Sequence, residues 1–416
     1  MQLKTILHRI EPFKSFVYGK VRWAEGPGSK TLEVEVRARK NGRPICSGCH
    51  RPGPGYDRLP ERRFEFVPLW GIAVYFVYAM RRVDCPRCGV TVERVPWVQG
   101  KGHLTTTYRW FLARWAKRLS WEEVATVFHT SWRNVFESVK LAVWWGVAHQ
   151  NLEGIEAIGV DEIQWRRGHC YLTLVYQIED GMKRLLWVAE ERTQESLRRF
   201  FKSLGEARRS IRFVCSDMWR PYLNVIAEEL TQAVHILDRF HIMKKMNEAI
   251  DQVRRSEAAR LKRDGYEAVL KHSRWCLLKR PENRTEKETV KLKELLQYNL
   301  QAVRSLLQKE DFQRFWEYTS PHWAVTFLDQ WCTRTMRSKI EPMKKVALSL
   351  REHRELILNW FRAKGKISAG SVEGLNNKAK LTLRKAYGFR TYEAIEIALF
   401  HTLGNLPEPN FTHEFC

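Results

Sequence analysis

Between Ile155 and Glu190 apolar and polar residues alternate in three runs: Ile155 to Trp165, His169 to Ile178 and Arg184 to Glu190. Alternation of this kind buries one face of a strand and wets the other. Arg166-Arg-Gly168 and Glu179-Asp-Gly181 separate the runs as short turns, so they predict an antiparallel meander. A helix follows from about Gln194 to Leu204, then a fourth strand at Ile211 to Cys215, a helix at Arg220 to Leu230 and a fifth strand at Val234 to Leu237. Upstream, from about Leu104 to Gln150, the apolar spacing becomes helical, with Trp110, Phe111, Arg114, Trp115 and Leu119 three or four apart. Ser120-Trp-Glu-Glu123 is a capping box that starts a short helix at Trp121. After the turn His129-Thr130-Ser131, a longer segment runs from Trp132 through Val143.

Helix, three-residue turn, helix is the layout of a DNA-reading helix-turn-helix, with Arg133, Asn134 and Glu137 as its groove-facing side chains. An ordinary helical hairpin packing its own aromatics carries the same pattern. Three antiparallel strands followed by strands joined through helices is the order of a ribonuclease H-like sheet, in which the first and fourth strands are neighbours. Between Lys245 and about Gly365 lies a charged, helical interval with helices at Glu248 to Lys262, Thr289 to Lys309 and Pro342 to Phe361. It is too long for a loop and reads as an all-α insertion. Trp275, Trp316, Trp323, Trp331 and Trp360 lie within it, most as core, with one or two free to stack on unpaired bases. The most apolar stretch, Phe66 to Met80, is too short for a membrane span of about 20 residues and reads as two strands broken near Gly71.

Charge changes the picture from fold to partner. The 416 residues hold 71 Lys+Arg against 47 Asp+Glu, a formal charge of +24 and a pI near 9.8, as expected of a chain that tracks a polyphosphate backbone. No Gly-rich phosphate loop points to ATP-driven work. Met1-Gln-Leu-Lys-Thr-Ile-Leu-His-Arg lacks the apolar region of an export signal, so the chain is expected in the cytoplasm.

Among nine cysteines, four form two knuckles, Cys46-Ser-Gly-Cys49 and Cys85-Pro-Arg-Cys88, whose thiolates suit one tetrahedral zinc ion. The spacer of 35 residues exceeds the usual ribbon spacing of about 15 to 20. Strand-like Arg63 to Val67 and Ala73 to Arg81 supply a hairpin to bring the knuckles together. Haem attachment at Cys46-Ser-Gly-Cys49-His50 leaves the second knuckle unexplained, and neither pair has the strand and helix context of a redox disulfide. Cys170, Cys215, Cys276, Cys332 and Cys416 read as small apolar fillers.

Three carboxylates stand in polar breaks of apolar or basic surroundings: Asp161 on the first strand, Asp217 at the end of the fourth, and Glu373 in the first turn of a late helix, 156 residues beyond Asp217. Singly, each is explained as a turn residue, a helix cap or a first-turn acid. Together, Asp161 and Asp217 face each other across one inter-strand step of about 4.8 Å. Hard oxygen donors of this kind suit Mg²⁺ or Mn²⁺ and in-line phosphoryl transfer. Glu162 is a neighbouring decoy on the opposite face. On the late helix, Asn377, Lys380 and Arg384 share the face of Glu373 and can meet phosphates, while Leu375, Ala379 and Leu383 pack.

Gly159-Val-Asp161-Glu, Cys215-Ser-Asp217-Met-Trp-Arg-Pro-Tyr222, Asp238-Arg-Phe-His241 and, above all, Ser371-Val-Glu-Gly-Leu-Asn-Asn-Lys378 continuing into Arg384 to Arg390 resemble the DDE transposases of bacterial insertion sequences, of the ISL3 type. The resemblance extends over nearly the whole chain. It implies an enzyme that binds terminal inverted repeats, cuts the element's ends and joins them to target DNA, with Asp161, Asp217 and Glu373 as the Mg²⁺ (or Mn²⁺) triad and His241 beside the scissile region or, equally, packed behind the fifth strand. It also implies structural Zn²⁺, double-stranded DNA as partner, no membrane, a homodimer on DNA and a place on the bacterial nucleoid. A non-catalytic DNA-binding regulator or a structure-specific nuclease are the alternatives. The expected α+β multidomain architecture is a zinc ribbon at 1–100, a helix-turn-helix at 101–150, and a ribonuclease H-like α/β core at 151–244 and 366–416 interrupted by the all-α insertion at 245–365.

Overall fold

The computed structural model describes residues 2–24, 31–266, 269–363, 370–385 and 389–410. It is a mixed α/β molecule whose contacts divide the chain into two compact units, Met1–Gln150 with Lys385–Cys416, and Asn151–Arg384. No helix among the described residues is long and apolar enough to cross a membrane.

The first unit opens with α1 (Leu3–Ile10), β1 (Phe16–Trp23) and β2 (Thr31–Ala38), followed by the long hairpin β3 (Gly55–Leu69) and β4 (Ile72–Cys85) and the short β5 (Gly89–Val92). The expected break near Gly71 is the hairpin turn, where Trp70 and Gly71 both take positive φ. The strands form one sheet in the order β1-β2-β4-β3, with β5 on β4. This is more than the ribbon the two knuckles suggest. Its core closes on Trp97, 1% exposed, with the rings of Phe13, Phe16, Phe64 and Tyr78 between 4.9 and 6.0 Å away.

Three helices follow: α2 (Thr106–Trp115), α3 (Trp121–Val127) and α4 (Trp132–His149). Both halves of the Ser120/Glu123 capping box form, and His129 closes the turn at a φ of 51°.

The second unit begins with the meander β6 (Ala157–Arg166), β7 (Cys170–Glu179) and β8 (Met182–Glu190). After α5 (Gln194–Leu204), the chain adds β9 (Phe213–Ser216), α6 (Arg220–Glu229) and β10 (Val234–Leu237). The order is β10-β9-β6-β7-β8, with β9 parallel to both β6 and β10, so the first and fourth strands of this sheet are neighbours. One face carries Ile158, Val160, Val175 and Val214 against Leu197, Phe200 and Phe201 of α5 and Tyr222 and Ile226 of α6.

From β10 the chain enters α7 (Arg239–Arg263), α8 (Arg274–Leu278), α9 (Glu286–Leu295), α10 (Gln301–Gln313), α11 (Pro321–Met336), α12 (Glu341–Glu352), α13 (Arg354–Leu358) and α14 (Trp360–Ala363). The first helix starts nine residues before the expected Glu248 because Asp238 caps it directly after β10. The expected continuous helix at Thr289 to Lys309 is two helices. Buried Glu257 of α7 accepts from the backbone N–H groups of Gln301 and Ala302, both at 2.8 Å, and so supplies α10 with a separate start. Leu237 and Met218 join the insertion's core, and Asn359 donates to the carbonyl of His235 at 2.8 Å, covering the sheet edge at β10. Trp331 and Trp316 are core at 1% and 4% exposure, whereas Trp275 and Trp323 are exposed. Cys215, Cys276 and Cys332 are buried as expected; Cys170 is exposed and is no core filler.

The late helix α15 (Ser371–Lys385) belongs to the second unit up to Arg384, and α16 (Tyr392–Leu403) to the first. All of 366–416 was expected in the catalytic core. The division at Lys385 has a packing cause: α16 lies on α4, and Gly146 of α4 leaves room for Leu406, whose Cβ lies 2.6 Å from where a glycine-replacing Cβ would stand.

Candidate functional site

Four thiols converge in the first unit. One Sγ each from Cys46, Cys49, Cys85 and Cys88 lie within 4.8 Å of one another, and Cys49 and Cys85 are 3.5 Å apart. A tetrahedron with Zn–S bonds of about 2.3 Å has edges of about 3.8 Å, so the set fits zinc with little adjustment. Each knuckle ends in a left-handed residue, His50 at φ 59° and Gly89 at φ 71°, which turns the chain back after the second cysteine. The Thr91 hydroxyl, 3.2 Å from Cys46 Sγ, is the main cause holding that thiol below its ordinary pKa, as a metal ligand requires. Four gathered thiols also answer the haem reading, which has no use for the second knuckle.

On α4 and the turn before it, Arg133 is exposed, and Asn134 donates to the Thr130 hydroxyl at 2.9 Å. Asn134 therefore steadies the turn. Glu137 is half-buried, and its carbonyl accepts from Arg109 at 2.7 Å.

The second unit gathers its acids around β6. Asp161 is 5% exposed; its Oδ1 accepts from the backbone N–H of Glu162 at 2.7 Å, and its Oδ2 accepts from the side-chain amide of Asn376. Asn376 Oδ1 in turn accepts from Tyr176 Oη at 2.8 Å. Sequence reasoning missed both residues. Gly159 makes the approach of α15 possible: a Cβ there would lie 2.4 Å from Val372 Cγ2.

Asp238 caps α7 through Phe240 N at 2.9 Å and holds His241 Nδ1 at 3.1 Å. Since a carboxylate only accepts, Nδ1 carries the proton and Nε2 faces Asp161 Oδ1 at 3.9 Å. His241 thus belongs to the acid cluster and is only partly buried. Asp161, Asp238 and His241 each offer a ligand atom within 4.8 Å of the others.

Asp217 lies outside that trio but close by. Its Oδ1 caps Trp219 N and its Oδ2 accepts from Arg192 Nη2, both at 2.9 Å. Arg192 also pairs with Glu162 Oε1 at 2.9 Å and lies 4.2 Å above the Trp219 ring. Glu162, expected to be a decoy, is therefore tied to Asp217 through a shared cation. Glu373 is half-buried in the first turn of α15, one helical turn before Asn376 and so on neighbouring surface. Asn377, Lys380 and Arg384 are exposed further along α15, while Ala386, Tyr387 and Gly388 of the adjoining motif lie outside the described residues.

Burial and mutual charge shape the protonation of this cluster. Burial, first of all, pushes Asp161 up to about 6, and burial followed by the charge of Asp217 pushes Glu162 up to about 7. Burial works to lower His241, but the Asp238 hydrogen bond and the charge of Asp161 outweigh it and hold the imidazole above its ordinary value. Glu162 Oε2 is buried without a hydrogen-bond partner. Carboxylates crowded in this way are relieved either by protons or by a metal. Oxygen donors with one imidazole fit a hard divalent ion.

Comparison with known proteins agrees with this chemistry. The ISL3 family model, described as Transposase, matches residues 158–399. The transposase for insertion sequence element IS1001 of Bordetella parapertussis is 28% identical over 395 residues, covering 94% of this chain and 96% of its own. The transposase for insertion sequence element IS1557 of Mycobacterium tuberculosis is 28% identical over 410 residues, covering 92% and 90%. Among known structures, the Drosophila P element transposase strand transfer complex is similar over 73% of this chain and 92% of its own, with 8% identity and a TM-score of 0.44.

Proposed function

Because this chain belongs to the ISL3 family, and is therefore a DDE transposase acting on DNA and dependent on divalent metal, we propose that it binds the terminal inverted repeats of an insertion sequence, cuts there and joins the ends to target DNA. The observation that carries this reading is the convergence of Asp161, Asp238 and His241, with Asp217 alongside, on a sheet whose first and fourth strands are neighbours. Such a strand order fits a ribonuclease H-like core, and the four gathered thiols fit a zinc ribbon beside a helix-turn-helix.

Asp161, Asp217 and Glu373 are assigned as ligands of Mg²⁺ or Mn²⁺, with Asp238 and His241 at the edge of the same site. A divalent ion held by them would supply charge stabilisation for an in-line displacement at phosphorus. Asn376 and the Glu162 N–H fix the orientation of the Asp161 carboxylate. Asp238 fixes the His241 tautomer, so that Nε2 can contact the scissile region. Arg192 balances Asp217 and Glu162 from the far side. Arg133 and the exposed Asn377, Lys380 and Arg384 contact DNA, Asn134 shapes the reading helix's turn, and Cys46, Cys49, Cys85 and Cys88 hold structural Zn²⁺. Two element ends must be held at once, which calls for a homodimer working on DNA in the bacterial cytoplasm.

Labelled element-end DNA with Mg²⁺ tests the reading, and Asp161→Asn is the decisive variant. It should bind DNA as the wild type does and cut roughly 10³-fold more slowly or worse, the equivalent of several kcal/mol of lost charge stabilisation. Full cleavage by the variant removes Asp161 from the site. Wild-type binding without nicking indicates a regulator, and nicking without joined products a nuclease.

A further inference from the structure

A groove of about 620 Å³ runs between α7 and α12, with Lys245, Gln252 and Arg255 on one side and Lys345 and Ser349 on the other above a floor that includes Ala249 and Val346. Its cations outnumber its acids: Glu248 is the lining carboxylate, and Arg255 is shared with Asp251 at 3.4 Å. Lys245 reaches across the groove to the Ser349 hydroxyl at 3.3 Å.

Both approaches to the groove begin at the acid cluster. On α7, Lys245 lies four residues after His241, hence on nearly the same face and about 6 Å further along the axis, while Arg255 lies about 21 Å along it. On the other side, Arg220 follows Asp217 by three residues at the start of α6 and reaches Glu352 of α12 at 3.9 Å. Arg220 and Lys245 are both close enough to His353, the C-cap of α12, for their charges to act on it. A basic strip therefore leads from Asp217 and His241 through Arg220 and Lys245 to Lys345.

We propose that this groove carries the sugar-phosphate backbone of a single DNA strand away from the cutting site. The proposal rests on the transposase reading and adds the path of one strand to it. Lysine, arginine, glutamine and serine without an aromatic platform suit phosphates rather than bases, so the contact is independent of sequence. The groove is narrow, with Lys245 and Ser349 meeting across it at 3.3 Å, in keeping with one backbone rather than a duplex.

The experiment measures binding of the full-length protein, by fluorescence anisotropy over a salt series, to two labelled DNAs: a blunt duplex of the element end, and the same duplex with a short single-stranded flank at the cut position. The charge-reversed double variant Lys245→Glu/Lys345→Glu should bind the flanked DNA about tenfold more weakly. Each phosphate neutralised on a single strand adds about 0.7 to the salt slope, so without these two lysines the slope should fall by roughly one to two. Blunt-duplex affinity should change less than about twofold by the same reasoning. Lys345→Arg should behave as the wild type, and unchanged melting of both variants shows that the fold is intact. Equal losses on both DNAs, or no loss on either, overturn the groove assignment. Failure of the wild type to bind element ends at all overturns the transposase reading instead.

Discussion

The two ligand clusters are built in opposite ways. The thiol cluster of the first unit comes from two short knuckles, each supplying both of its ligands within four residues and each closed by a left-handed residue, His50 or Gly89. The acid cluster of the second unit draws Asp161 from β6, Asp217 from the end of β9, Asp238 and His241 from the start of α7 and the supporting Asn376 from α15. The first is encoded by local turns joined across one hairpin; the second exists only once the sheet and the late helix have assembled. Damage to a thiol should therefore undo structure, and damage to a carboxylate should undo chemistry.

Cys85→Ser gives the largest effect of this kind. Loss of zinc, read by native mass spectrometry, should remove several kcal/mol from the first unit, since metal binding at such sites contributes directly to folding. Recognition of element ends should drop toward the non-specific level, about 10³-fold weaker or more. Mg²⁺-dependent nicking of non-specific DNA should change far less. A variant with undiminished zinc content would show that the four thiols serve another purpose.

Next comes Asn376→Ala, which leaves every proposed ligand in place and removes only the amide that orients Asp161. Supporting residues of this type usually cost about 10–100-fold in metal affinity or activity. The expected signature is a Mg²⁺ requirement shifted to higher concentration with unchanged DNA binding, partly rescued by high Mg²⁺. Tyr176→Phe, one hydrogen bond further out, should show the same change at smaller size. A loss of DNA binding equal to the loss of cutting would mean that Asn376 supports the fold rather than the acid.

What could be read from the chain follows the same division. The knuckles, the capping box at Ser120 and the strands from β6 to β10 are local signals, and they stand in the structure where the alternation and spacing put them. β1 and β2 were missed. The pairing slips between Tyr18 and Val21, so the alternation that announces a strand is interrupted there. The break before α10 was invisible because its cap, Glu257, comes from another helix. Asn376 and Asn377 are adjacent, and the three- and four-residue spacing from Glu373 through Lys380 and Arg384 points to Asn377, whereas it is Asn376 that meets Asp161. The choice depends on how α15 is rotated against β6, which is set by Val372 over Gly159, a contact 213 residues apart in the chain. Only a helix already docked on its strand distinguishes an asparagine that orients the acid from one that meets solvent.

The smallest expected effect lies in the response to acid, where burial in the second unit works in two directions. Asp161, at about 6, and Glu162, at about 7, have folded values above those of exposed carboxyls, so the folded state takes up protons first and their cost to stability fades as pH falls from about 7 toward 4. His235 is held down at about 4, chiefly by burial, so the unfolded state takes up protons first and its contribution, up to about 3 kcal/mol, is lost as pH falls from 6.5 toward 4. Without metal the two trends oppose each other below pH 7. Mg²⁺ should hold the carboxylates ionised and stabilise the folded protein by about 2.7 kcal/mol at a hundredfold excess over its dissociation constant. Melting curves with and without Mg²⁺ should therefore stand apart above pH 7 and close together below about 6, with Asp161→Asn narrowing the gap throughout. A gap that stays constant down to pH 5 would separate Mg²⁺ binding from the buried acids and place it at other ligands.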